Sequence, residues 1–125
     1  DRFWICVHYV LLKMGRGEYL EAFDFFGYLR MVVFGPLLNI KNDKLPRGVR
    51  KAEFDLDTDD LNALLLTIPD YNLSSLFQTL HQTVNLYRNI RSSLFDQVRL
   101  QTKTELRVMQ YFHELENSLV DRSSL

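Results

Sequence analysis

Several things are scarce in this sequence, and each scarcity excludes something. There is one cysteine, Cys6, so no disulfide can close within the chain. Its place between Ile5 and Val7 reads as a small core residue, in keeping with a reducing cytoplasm. A reactive thiol would need a base beside it, and none stands nearby in sequence. Three histidines are scattered without metal-ligand spacing, so no dedicated metal site is expected from this chain alone. With three prolines and five glycines there is no room for a low-complexity or proline-rich linker. Neither sign of charge dominates: 15 basic against 16 acidic residues give a net charge of −1. That balance excludes a general attraction to nucleic acid or to anionic membranes. The apolar run "FWICVHYVLL" has ten residues, about half a membrane span, and no small-residue cleavage site behind it. It reads as a buried helix. Walker loop, Gly-rich dinucleotide fingerprint and nucleophile motif are all missing.

What the chain has is aromatic bulk and helical period. Nine Phe, six Tyr and one Trp in 125 residues are enough for one well-filled core and one domain. The chain opens without Met and runs almost at once into its first helix, as a piece of a longer protein would. That helix spans about 2–14, with Phe3, Val7, Val10 and Met14 as its apolar stripe. "GRG" at 15–17 breaks it. A second helix runs over about 18–34 with Phe25, Leu29 and Val32 inward; Gly35-Pro36 should kink or interrupt it before "PLLNIK" adds a turn or two. Residues 42–57 form the clearest loop. A short helix follows, capped by Asp57 or Thr58, with Leu61, Leu64 and Leu65 as contacts, and Pro69 ends it. Ser75 and Gln78 match a capping box that opens the longest helix, about 75–101, with a stripe of Leu76, Leu80, Val84, Tyr87, Leu94 and Val98. Thr102 and Glu105 form a second such box, opening a last helix to about 119, and residues 120–125 should fray. Four to five helices with short connections make an all-α antiparallel bundle.

Three stretches carry chemistry. The loop "KNDKLPRGVRK" gathers Lys41, Lys44, Arg47, Arg50 and Lys51 around Gly48, a set able to hold phosphate or another anion. The acids just downstream offer a plainer account, a solvated and balanced loop. "RVMQYFH" has the R-x5-H spacing that resembles the ribonuclease motif of small helical toxin domains. Those domains usually place a polar residue after the arginine, where Val108 stands here. The opening stretch "HYVLLKMGRGEYLEAFD" concentrates His8, Lys13, Arg16, Glu18, Glu21 and Asp24. Each has a structural excuse: His8, inside an apolar run, reads as a core histidine, and for the others bases favour a helix C-terminus and acids an N-terminus. Their concentration is the signal.

Phe3-Trp4, Lys13, Arg16, Glu18, Asp24, Arg30 and Pro36-Leu37-Leu38 also follow a family order: an aromatic pair, a basic helix end, an R-x-E turn, and an acid and an Arg before "PLL". Gly48, Arg50 and Lys51 match a later Gly followed by basic residues. Over about residues 2–100 the sequence resembles the helical C-terminal domain of bacterial aminoglycoside-type nucleotidyltransferases. The resemblance implies transfer of a nucleoside monophosphate from Mg2+-bound NTP, most simply ATP, to a hydroxyl acceptor. The metal and nucleotide would be held mainly by an N-terminal domain whose Gly-Ser and Asp-x-Asp signature does not occur here. Glu18, then Asp24, are the carboxylates for the hydroxyl proton. Lys13, Arg16, Arg30, Arg50 and Lys51 are candidates for substrate or phosphate contacts, with Trp4, His8 and Tyr28 lining the pocket. The pocket of family members acting on cationic drugs is usually more acidic than this sequence, which leaves the acceptor open. The rival from another class is a non-enzymatic interaction or dimerisation module, and a homodimer stays open under either reading.

Overall fold

The computed structural model describes residues 2–94 and 102–122, without the side chains of 102–104, 121 and 122. All the regular structure of the described residues is helical: α1 (Phe3–Gly15), α2 (Tyr19–Leu29), a π-helical turn (Arg30–Phe34), α3 (Gly35–Lys41), α4 (Ala52–Asp55), α5 (Thr58–Leu65), α6 (Leu73–Ser93) and α7 (Thr102–Arg122). α2, the π turn and α3 run on as one 23-residue helix. Counted that way there are six helices rather than four to five, because the 42–57 loop winds the single turn of α4. α1 packs against α7 and α2, and α6 closes the other side against α2, α3 and α7.

The apolar stripe of α1 goes where its period sends it: Phe3, Val7, Val10 and Met14 are all buried. Trp4 is fully enclosed with them, edge-on to Phe3 and Tyr87 at 5.2 and 6.1 Å, while Phe3 stacks on Tyr87 at 4.0 Å. The stripe expected on the second helix needs correction. Leu29 is buried, but Phe25 is only partly so and Val32 is half exposed. The inward residues are Ala22, Phe26, Leu29, Phe34 and Leu38. The step from Leu29 to Phe34 is five residues, the bonding span of a π turn, and the Gly35 N–H reaches back to the Arg30 carbonyl. Pro36 therefore does not break the helix. It occupies the first turn of α3, and the irregularity its missing N–H demands lies one turn upstream.

Gly35 is where the loop lies down on this helix. A Cβ there would stand 2.7 Å from the Gly48 backbone and 2.8 Å from the Arg30 carbonyl, so only glycine admits the approach. Asn39, buried below it, donates to the carbonyls of Gly35 at 2.7 Å and Arg47 at 3.2 Å.

Caps also differ from expectation in instructive ways. α5 begins at Asp57, whose side chain accepts from the Asp60 N–H at 2.8 Å. Of its three expected contacts Leu64 is buried and Leu61 partly so, but Leu65 is half exposed. α6 begins two residues before Ser75: Asn72 is the cap and accepts from the Ser75 N–H at 2.8 Å, while the Ser75 hydroxyl accepts from the Asp70 N–H at 2.8 Å. α6 ends at Ser93; Val98 and the expected stretch to 101 lie outside the described residues. Glu105 has its carboxylate held by Arg88 and Arg91 at 2.9 and 2.8 Å, and the Thr102 side chain of the expected box lies outside the described residues. α7 stays helical to Arg122, and of the expected fray only 123–125 lie beyond the described residues.

By length and composition the helix Tyr19–Lys41 could cross a bilayer. In this fold its inner face is taken up by the core and its outer face carries Glu21 and Asp24.

Candidate functional site

The turn after α1 is built by its glycine. Gly17 has φ of 80°, its N–H donates to the Met14 carbonyl at 3.1 Å, and the Glu18 N–H donates to the Lys13 carbonyl at 2.8 Å. These are the paired bonds of a Schellman motif, which folds the chain back over the last turn of the helix it ends. Glu18 is thereby set against Lys13. The Lys13 ammonium lies 3.1 Å from the Glu18 carboxylate and 2.9 Å from that of Glu21. Tyr9, one turn earlier on α1, donates its hydroxyl to Glu21 at 3.0 Å, and its ring centroid is 5.1 Å from the same ammonium.

This cluster has a consistent electrostatic sense. Hydrogen bonds to Glu21, and then to Glu18, hold Lys13 above its ordinary value. The bond from Lys13, and then the one from Tyr9, holds Glu21 below the usual carboxylate range. Glu21 is therefore committed as an anion and is a poor proton acceptor. Glu18 meets Lys13 through Oε2 alone, and its side chain is 45% exposed. Beside the cluster runs an aromatic ledge: Tyr9 against Phe25 at 4.9 Å, then Phe25 against Tyr28 at 5.0 Å. Tyr28 is half exposed, and Asp24 and Arg16 are exposed. The arrangement can orient a hydroxyl-bearing ligand and accept a proton at Glu18.

Other candidates lie elsewhere. Trp4 is enclosed in the core under the Arg88 guanidinium, 5.5 Å from its ring, and so offers no surface to a ligand. Arg30 spans to the end of α5, donating to the Thr67 carbonyl at 2.6 Å, and burial lowers its pKa from the ordinary arginine value. Its contacts are those of a strut between helices, not of a free anion site. In the basic loop Lys41 is taken by Asp60 at 2.8 Å and Arg47 by Asp55, while Lys44, Arg50 and Lys51 remain exposed. That loop rests on Met31 and Gly35 through Gly48. Glu18 and Met31 are separated by about 20 Å of helix at 1.5 Å per residue, so turn and loop are not one constellation. His8 is exposed on α1 and faces Tyr111 of α7 at 5.4 Å.

The R-x5-H pair does not converge either. Arg107 lies beside α1, whereas His113 lies 6.0 Å from His81 of α6. Six residues at 3.6 per turn place the two about 120° apart around α7. Cys6 is half-buried, and burial pushes its thiol up, away from the reactive thiolate.

Sequence reasoning passed over Tyr9, although its place four residues before Lys13 puts both on one face of α1. It also gave Glu21 only a helix-terminus role. For the Mg2+ that the resemblance implies, the residues of this turn do not fit. The two carboxylates that converge do so on Lys13, whose ammonium fills the place a divalent cation would need, and no group of three metal-ligating side chains occurs among the described residues. Compared with known protein families, with curated protein sequences and with solved structures, the chain matches none.

Proposed function

We infer that this helical domain is the acceptor-binding part of a nucleotidyltransferase, working with an N-terminal domain that holds Mg2+ and ATP. The observation that carries the reading is the Lys13–Glu18–Glu21 cluster, which stays at the surface with a half-exposed carboxylate at Glu18. The order of residues from Phe3-Trp4 to Pro36-Leu37-Leu38 supports it from the sequence side. In this reading a hydroxyl of the acceptor donates its proton to Glu18 while Lys13 fixes the carboxylate's orientation. The Tyr9–Phe25–Tyr28 ledge holds the acceptor's body against the turn. Arg50 and Lys51, in the separate basic loop, serve the nucleotide rather than the acceptor. The fit of Glu18 is tested by Glu18→Gln in the protein carrying both domains. Turnover should fall by about 10²–10⁴-fold with the fold intact. Normal turnover passes the role to Asp24.

A second reading rests on a separate observation. Tyr28, Met31 and Val32 are each about half exposed along one stretch of helix, with Ile5 and Tyr9 exposed on α1. Such a face suits a helical interaction or dimerisation module. Sedimentation of the 125-residue chain distinguishes it: a dimer that Val32→Lys dissociates supports the module, and a monomer at all concentrations removes the dimer.

A further inference from the structure

On the side of α1 away from the charged turn, α1 and α7 leave between them a depression of about 280 Å³ lined by Ile5, His8, Arg107, Val108 and Tyr111. Its floor is apolar, with Val108 buried and Ile5 presenting an exposed aliphatic surface. Its polar groups are the imidazole of His8, tilted against the Tyr111 ring at 5.4 Å, and the guanidinium of Arg107.

Arg107 differs from the arginines that brace the fold. Arg30, Arg47, Arg88 and Arg91 are engaged with carbonyls or carboxylates. Arg107 makes no ion pair or hydrogen bond among the described residues. The acid farther along the same face of α7, Glu114, is held instead by Gln110 at 3.2 Å. The depression thus combines an apolar floor with a permanent, unneutralised cation and a hydrogen-bonding imidazole.

We propose that this depression binds a small amphipathic anion: a ring-sized apolar body carrying one carboxylate or phosphate group. The acid group meets the Arg107 fork, whose planar donors match both oxyanions, and His8 supplies a further hydrogen bond. The apolar body lies on Ile5 and Val108 beside the Tyr111 ring. Size sets the class. A cavity of about 150 Å³ holds benzene, so about 280 Å³ holds one ring with its acid group and little more. A bare inorganic anion would leave the floor wet, and a neutral ring would leave Arg107 unanswered. The inference does not rest on the transferase reading, since it uses α7 and none of the residues of the turn.

The test is a titration of the 125-residue chain with benzoate, phenyl phosphate, benzyl alcohol and inorganic phosphate, followed through the ring protons of His8 and Tyr111. Benzoate or phenyl phosphate should shift both residues saturably and bind at least about tenfold more tightly than the other two probes. The tighter of the pair tells whether the site is made for carboxylate or phosphate. Arg107→Gln should weaken that binding about tenfold with unchanged helical circular dichroism. Arg107→Lys, which keeps the charge and loses the fork, should fall between. Four probes of similar affinity, shifts that avoid His8 and Tyr111, or binding indifferent to Arg107→Gln would each overturn the proposal.

Discussion

At the first turn one ammonium, Lys13, sits between two carboxylates, Glu18 and Glu21; where α6 meets α7 one carboxylate, Glu105, sits between two guanidiniums, Arg88 and Arg91. The central group is similarly sheltered in both, 17% exposed for Lys13 and 13% for Glu105. The partners are not. Glu18 and Glu21 are 45% and 49% exposed, whereas Arg91 is 19% exposed and Arg88, itself 39% exposed, lies over the buried Trp4 ring. The first cluster closes within nine residues of chain, and the second joins two long helices. The second uses its charges to fix one helix on another. The first needs little of its charge for folding, since the Schellman turn already sets the backbone, and so leaves a carboxylate available for chemistry.

The comparison can be broken in order of expected effect. Glu105→Gln should cost most, about 1–3 kcal/mol in denaturant unfolding, because two partly sheltered guanidiniums lose their counter-charge together. A loss below about 0.5 kcal/mol would mean that α6 and α7 are held by packing alone. Arg88→Gln should come next, at about 0.5–1.5 kcal/mol, for one arm of the clamp and its contact with Trp4. Glu18→Gln should cost less, about 0.3–1 kcal/mol, the ordinary worth of a carboxylate at a helix N-terminus, with Lys13 still held by Glu21. If Glu18→Gln proved as costly as Glu105→Gln, the two clusters would be the same kind of object and the functional reading of the turn would lose its footing.

The smallest effect is in pH. Lys13 is raised, so its contribution is complete below the ordinary lysine range and fades as pH rises through its folded value. Glu21 is lowered, so its contribution is complete above the ordinary carboxylate range and fades as pH falls through its folded value. Between those limits stability should be flat in pH on account of this cluster. The Glu21 carboxyl carbon resonance should titrate below the usual range, and Tyr9→Phe should bring it partway back. An unshifted titration would show that the cluster is open in solution.

Much of the fold was legible. α1 could be read almost to its ends because its stripe, its basic last turn and its glycine stop agree with one another. Errors came where a tertiary contact took a group that local rules had assigned. Ser75 looks like a cap until Asn72 takes the N–H. Arg30 read as a ligand contact because a sequence does not show that Thr67 will lie beneath it. Trp4 read as pocket lining for the same reason, since aromatic residues serve pockets and cores alike. In the candidate site, Lys13 and Glu18 stood out through the concentration of charge in the opening stretch, and the partnership of Glu21 with Tyr9 did not, because it depends on how α2 crosses α1.

The π turn at Arg30–Phe34 is in effect a one-residue insertion that the helix absorbed without breaking. Everything before it is counted in one frame of the apolar repeat, and everything after it in the next. A relative built on the same bundle without that turn would align with this chain only through a single-residue gap between 30 and 34. Removing exposed Val32 should restore an unbroken α-helical count and leave Leu29 and Leu38 facing the same core.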